Sequence, residues 1–127
     1  MSTHTGRCLC RATTFAFETP IKWCAHCHCE SCRRNCAAPF TTFVGVDDGQ
    51  WRWTGAEPRA YESSPGVQRF FCGTCGAPMA YRPKGGGEIH FYAAGLDDPE
   101  AFPPERHVFH SERLSWVHLA DDLPKKG

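Results

Sequence analysis

The chain has 127 residues, 41 % of them hydrophobic and 22 % charged, enough for one domain with a core and not disordered by composition. Fourteen Lys and Arg balance fourteen Asp and Glu, a formal charge of zero that argues against a nucleic-acid binder coating phosphates. No apolar run approaches the roughly 18 residues of a membrane helix, and Met1–Arg7 holds no apolar stretch of a secretory signal. A cytoplasmic protein filling a single domain over residues 1–127, with no membrane partner, is therefore expected.

Residues 5–18 alternate in strand fashion, with Phe15 and Phe17 on one face and Cys8 and Cys10 sharing another, until Pro20 ends the segment. Residues 24–36 are cysteine-rich without a period, which fits a metal-organised loop with one helical turn. Phe40–Val46 reads as a strand stopped by Asp47-Asp48-Gly49, and Trp51-Arg52-Trp53 completes an expected hairpin. Arg59–Glu62 and Val67–Cys72 are further strands, separated by Ser63-Ser64-Pro65-Gly66. Met79–Arg82 and Glu88–Ala94 flank Gly85-Gly86-Gly87, a hairpin tip; no Lys-Ser/Thr or helix pattern follows it, so it is not a phosphate cradle. Residues 97–105 make a turn-rich crossing, 106–110 and 114–119 are late extended pieces, and the tail from Asp121 should be loosely ordered. No segment longer than about 12 residues carries the helical period. Many short strands between Gly, Pro and Asp turns imply a mostly-β fold of short antiparallel sheets. Trp23, Trp51, Trp53, Trp116 and the nine phenylalanines are the expected core.

The cysteines carry the chemistry. There are nine, an odd number, and Cys8 and Cys10, like Cys27 and Cys29, stand one residue apart, which suits a shared metal better than cross-links. Cys8-x-Cys10 and Cys72-x-x-Cys75 make a natural four. The second pair lies in a Phe71-Cys-Gly-Thr-Cys-Gly76 knuckle whose glycines permit a positive φ. Four thiolates close a structural zinc tetrahedron. Cys27, Cys29 and Cys32 remain as a group of three, and three ligands leave a position open to water or substrate. A soft, thiolate-rich metal favours another sulfur there. Spacing is equally compatible with closure by Cys24, Cys36, His26 or His28, and an iron–sulfur cluster also meets the cysteine count. Zinc on four thiolates carries about −2 and on three about −1, and Arg33 and Arg34, directly after Cys32, could offset that charge or attract a substrate carboxylate. His26 and His28 flank Cys27 as proton movers or supporting residues; His90, His107, His110 and His118 read as edge or face positions.

The motifs Gly6-Arg-Cys-Leu-Cys10, Cys27-His-Cys-Glu-Ser-Cys-Arg-Arg34 with Ala37-Ala-Pro-Phe40, and Phe71-Cys-Gly-Thr-Cys-Gly-Ala-Pro78 resemble the glutathione-dependent formaldehyde-activating enzyme family, which shares its domain with centromere protein V. Leu96-Asp-Asp-Pro99, Pro104-Glu-Arg-His107 and Leu114-Ser-Trp116 extend the resemblance from residue 6 to Pro124. It implies an Mss4-like fold around two zinc ions per chain. Cys8, Cys10, Cys72 and Cys75 would hold a structural zinc, and Cys27, Cys29 and Cys32 a catalytic zinc whose fourth position accepts glutathione. The implied partners are a small thiol and an aldehyde. The implied reaction forms or cleaves S-hydroxymethylglutathione, the chemistry of a carbon–sulfur lyase. Two alternatives of other classes stand beside it: a zinc-stabilised protein-interaction module without catalysis, and a thiol-redox protein using Cys24 and Cys36.

Overall fold

A computed structural model describes residues 1–127 as ten strands and one short helix. In chain order these are β1 (Thr3–Arg7), β2 (Thr14–Glu18), β3 (Trp23–Cys27), α1 (Glu30–Cys36), β4 (Thr41–Asp47), β5 (Trp51–Trp53), β6 (Arg59–Ser64), β7 (Val67–Phe71), β8 (Pro78–Arg82), β9 (Glu88–Tyr92) and β10 (His107–Val108). They form a three-stranded sheet, β1-β2-β5, and a seven-stranded sheet, β10-β3-β4-β9-β8-β7-β6. The fold is mostly β, and every pairing is antiparallel except that of β10 with β3. No helix is long and apolar enough to cross a membrane.

Period-two patterning sends the large sheet in two directions. Val44 and Val46 on β4 and Ile89 and Phe91 on β9 are fully buried in a core shared with Phe15 and Phe17 of the small sheet. The Phe91 ring stacks on Phe15 with centroids 4.0 Å apart, and Trp51 and Trp53 meet it edge-on. Each buried phenylalanine contributes about 1.5–3 kcal/mol. Gly6 is required at this junction, because a Cβ there would lie 2.6 Å from Phe15 Cε1 and 2.8 Å from the Gly95 carbonyl. The intervening residues, Phe43 and Tyr92, face the other way and form a smaller buried cluster with Cys27 and Cys32.

Four elements depart from the sequence reading. Residues 5–18 are not one strand: β1 turns back into β2, and Cys8 and Cys10 occupy the connecting loop, where Arg11 takes a φ of 75°. A bend there brings sulfurs together that a straight strand would hold apart. Trp51–Trp53 does not form a hairpin with β4. It pairs with β2, Phe15 opposite Trp53 and Phe17 opposite Trp51, because its indoles join the aromatic core between the sheets. Residues 114–119 form no strand, and Trp116 is exposed rather than core. The tail is tied down: His107 N–H donates to the Pro124 carbonyl at 2.8 Å, and Lys126 N–H to that of His107 at 2.8 Å.

Candidate metal centres and the adjoining cavity

The β1–β2 loop and the knuckle after β7 bring the sulfurs of Cys8, Cys10, Cys72 and Cys75 within 4.8 Å of one another. Cys10 Sγ lies 3.6 Å from Cys8 Sγ and 3.7 Å from Cys72 Sγ. Four sulfurs at about 2.3 Å from one zinc ion sit ~3.8 Å apart in a tetrahedron, so donor set and spacing fit such an ion. Backbone amides are aimed at the sulfurs: Thr13 N–H at Cys8 Sγ (3.3 Å), and Thr74 and Cys75 N–H at Cys72 Sγ (3.3 and 3.4 Å). Hydrogen bonding from Thr13 and from those amides brings the Cys72 thiol down to about 5, the direction a thiolate ligand needs. Gly76, at φ 79°, closes the knuckle.

The second group is built where β3 runs into α1. Cys27 ends β3, Cys29 is the N-cap of α1, its sulfur accepting from Cys32 N–H at 3.4 Å, and Cys32 lies in the helix. The three sulfurs lie within 4.8 Å of one another, and no fourth His, Cys, Asp or Glu joins them. The residues that spacing left available for closure are engaged elsewhere. Cys24 Sγ donates to the Phe102 carbonyl (3.3 Å) and Cys36 Sγ to the Cys32 carbonyl (3.1 Å). His26 Nδ1 meets Thr42 Oγ1 at 2.7 Å, and His28 Nε2 meets His107 Nδ1 at 2.9 Å. Sharing protons with Cys29 pushes the Cys27 thiol far up, while the same contact pulls Cys29 far down. Three sulfurs this close cannot all ionise without a cation among them, so the donor set fits a metal ion here too.

On its free side this group faces a cavity of about 460 Å³, a typical size for a small-molecule site. Trp23, Phe43, Tyr81 and Phe109 supply apolar wall, and Ser31, Arg69, His90, Arg106 and Glu112 supply polar groups. Arg69, on β7, is 5 % exposed and has no carboxylate within ion-pair distance. Its Nη1 points at Cys32 Sγ (3.7 Å), Nη2 donates to Ser31 Oγ (3.1 Å), Nε donates to Ser63 Oγ (3.3 Å), and Cζ lies 4.8 Å over the Tyr81 ring. A buried guanidinium without an anion is costly; Cys32, once ionised by a bound metal, would supply one.

Arg33 and Arg34 do not line this cavity. Arg33 Nε donates to the His28 carbonyl, Arg34 pairs with Glu30 at 2.8 Å, and both border a shallow depression beside Trp116. His26 and His28 do not line it either. His28, 1 % exposed, sits in a relay in which His107 Nε2 meets the Asp121 carboxylate at 3.0 Å, and burial brings its imidazole down to about 4. The imidazole that does line the cavity is His90, 2.6 Å from Glu88 Oε2. Arg69 and Arg106 were missed in the sequence because an isolated arginine in a strand-like run carries no local signal; only the pairing of distant strands brings both to the cavity that the sulfurs line.

Comparisons with known proteins place the chain in a family. An uncharacterized lyase of Schizosaccharomyces pombe is 32 % identical over 98 residues, covering 76 % of this chain and 69 % of that protein. A crystal structure of a Rhodobacter sphaeroides protein shares the fold, with a TM-score of 0.61 at 18 % identity over 95 % of this chain and 98 % of the other. The model of the glutathione-dependent formaldehyde-activating enzyme family matches residues 3–112, the span that contains both cysteine groups and the whole cavity wall, and the chain belongs to that family.

Proposed function

We propose that the protein is a zinc-dependent carbon–sulfur lyase acting on a thiol adduct, glutathione plus formaldehyde or a related aldehyde. The observation that carries this reading is the three-sulfur group with no fourth protein ligand, facing a cavity. Cys8, Cys10, Cys72 and Cys75 would hold a structural zinc, and Cys27, Cys29 and Cys32 a catalytic one. A zinc ion at the second group would supply a Lewis-acidic position that keeps a thiol as thiolate at neutral pH.

The chain's own residues do the rest. With a metal ion bound, Arg69 would face the Cys32 thiolate at 3.7 Å and offset charge that a further thiolate would bring. The cavity's aromatic wall excludes water from the reacting carbonyl, which disfavours hydration of the aldehyde. In the forward direction the thiol gives up its proton, its sulfur adds to the aldehyde carbon, a C–S bond forms as the carbonyl π pair moves to oxygen, and that oxygen takes up a proton in place of the one the thiol lost. Cleavage is the same sequence reversed.

Calorimetric titration of the zinc-loaded protein with glutathione and with S-methylglutathione tests this. The free thiol is expected to bind at least about tenfold more tightly, because only it brings an ionisable sulfur. Equal or absent binding of the two would remove sulfur entry from the reading. Formation of S-hydroxymethylglutathione above the spontaneous rate, followed by NMR, tests the chemistry itself.

A further inference from the structure

Arg106 stands out on the cavity wall. Its backbone is fixed beside β3, the carbonyl accepting from His26 N–H at 3.0 Å, while the neighbouring Glu105 N–H donates to the Cys24 carbonyl at 2.8 Å. Its guanidinium, half-buried, lies 5.7 Å over the Trp23 ring and makes no hydrogen bond or ion pair with any side chain or carbonyl. The platform beneath it is built in. Trp23 lies over Gly45, its partner across the β3–β4 pair, where a Cβ would fall 2.6 Å from the indole Nε1. His90 meets Trp23 edge-on at 4.6 Å and limits its movement from another side.

The other charged groups on the wall are accounted for. Arg69 is occupied by Cys32, Ser31 and Ser63. The cavity's one carboxylate, Glu112, accepts from Glu30 N–H at 3.0 Å and does not pair with Arg106. His90 is held by Glu88. This leaves a single planar guanidinium stacked on an indole, its five donors uncommitted, across a cavity from a sulfur-binding group. That fork matches a carboxylate bidentately and carries the charge of one monoanion.

We infer that Arg106 is a specificity-determining residue that reads a carboxylate on the thiol substrate, selecting acidic thiols over neutral ones. The inference rests on the proposed entry of sulfur at Cys27, Cys29 and Cys32, and adds what the far end of that substrate must carry. Stacking on Trp23 pre-orients the guanidinium, so little side-chain freedom is lost when the carboxylate arrives.

The test compares glutathione with its diethyl ester, in which both carboxylates are masked and the thiol is kept, on the zinc-loaded full chain by calorimetry. Wild type is expected to bind glutathione about tenfold or more tightly than the ester, the size of one charge-assisted hydrogen-bonding pair. Arg106→Gln should bring that ratio within about twofold while the ester's affinity stays as in wild type, and Arg106→Lys should restore part of it. Equal binding of acid and ester by wild type overturns the inference without any variant, as does an unchanged ratio in Arg106→Gln carrying two zinc ions. S-methylglutathione separates the two readings. If it matches glutathione while the ester remains weak, sulfur entry fails and carboxylate recognition stands. If wild type binds neither glutathione nor ester, both are refuted.

Discussion

Arg69→Met removes a buried cation and keeps most of its volume, so it isolates what the charge does. In the wild-type protein the guanidinium lies 3.7 Å from Cys32 Sγ at 5 % exposure. At an effective dielectric of about 20, opposite unit charges at that separation attract by about 4 kcal/mol. Desolvation of both groups takes back part of this, and breaking such a buried pair costs on the order of 3–5 kcal/mol when the partner stays charged. On the proposed reading, zinc bound to three thiolates would leave a charge of about −1 for Arg69 to neutralise, and a fourth thiolate would raise it to about −2. The substitution should therefore weaken two equilibria in succession, zinc at the second group and then thiol at the zinc. Each is expected to fall by about tenfold to a hundredfold, or about 1.4–2.8 kcal/mol.

Competition with a chromogenic chelator reads the first equilibrium and calorimetry with glutathione the second. The four-cysteine group is an internal control. Cys8, Cys10, Cys72 and Cys75 do not contact Arg69, so one zinc per chain should be retained with wild-type affinity. Two zinc ions held as tightly as in wild type, with unchanged glutathione affinity, would mean that Arg69 packs against Tyr81 and Ser31 without acting on the sulfurs. Loss of both zinc ions together would point to misfolding, and Arg69→Lys then separates the cases, since it keeps the charge but not the fork.

Cys75→Ser should abolish cooperative folding, because a structural zinc site contributes on the order of 10–16 kcal/mol of apparent binding energy; a soluble, cooperatively unfolding variant with both metals would count against that role. Cys29→Ser should keep α1, since serine is an effective N-cap acceptor for Cys32 N–H, yet lose thiol binding, and if it unfolds like Cys75→Ser the second group is structural as well. Burial pushes the His90 imidazole below its ordinary value, with Glu88 opposing. Its stabilising contribution is therefore complete above about pH 6.5, the unfolded-state value, and is lost as pH falls from there through the lower folded value. Denaturant unfolding between about pH 8 and 5.5 should show a shallower loss on acidification in His90→Gln than in wild type, and parallel curves would remove His90 from the acid response. Asp121→Ala leaves the buried His107 Nε2 without its acceptor and should cost about 1–3 kcal/mol, read as a lower Tm; an unchanged Tm would mean that the tail is held by its backbone bonds alone.

What the sequence makes legible is local. The division of the cysteines into four and three follows from spacings of one or two intervening residues, and those sulfurs do converge in the fold. The strands between residues 59 and 92 were readable for the same reason, since alternation and the Pro65-Gly66 and Gly85–Gly87 turns all act over a few residues. The Cys8–Cys10 loop was not, because period-two character continues through it on both sides and only sulfur convergence forces the bend. The β5 pairing was hidden too. Asp47-Asp48-Gly49 is a valid turn signal, but Asp48 is captured by Arg82, Trp51 and Gly87, which turns the chain toward the small sheet instead of back along β4.

The chemistry beyond the cysteines depends on register, which is the property least visible in a single chain. Val67–Phe71 alternates so that Phe70 packs on the core while Arg69 points to the sulfurs of Cys27, Cys29 and Cys32, and a one-residue slip would exchange them. Register across β7–β8 places Tyr81 opposite Arg69, and across β8–β9 places His90 opposite Tyr81, so one row of side chains spans the cavity wall. β4 then sets Gly45 between His90 and Trp23, the small residue that lets an indole lie across the sheet. Arg33 and Arg34 looked better placed because they adjoin Cys32 in sequence, yet Arg34 turns to Glu30 and neither borders the cavity. Neighbours along a helix lie on different faces; neighbours across a sheet share one. Arg69, on β7, and Arg106, just before β10, are therefore the cations that line one cavity with the sulfur group, and the pairing of β10, β3, β4, β9, β8 and β7 is what puts them there.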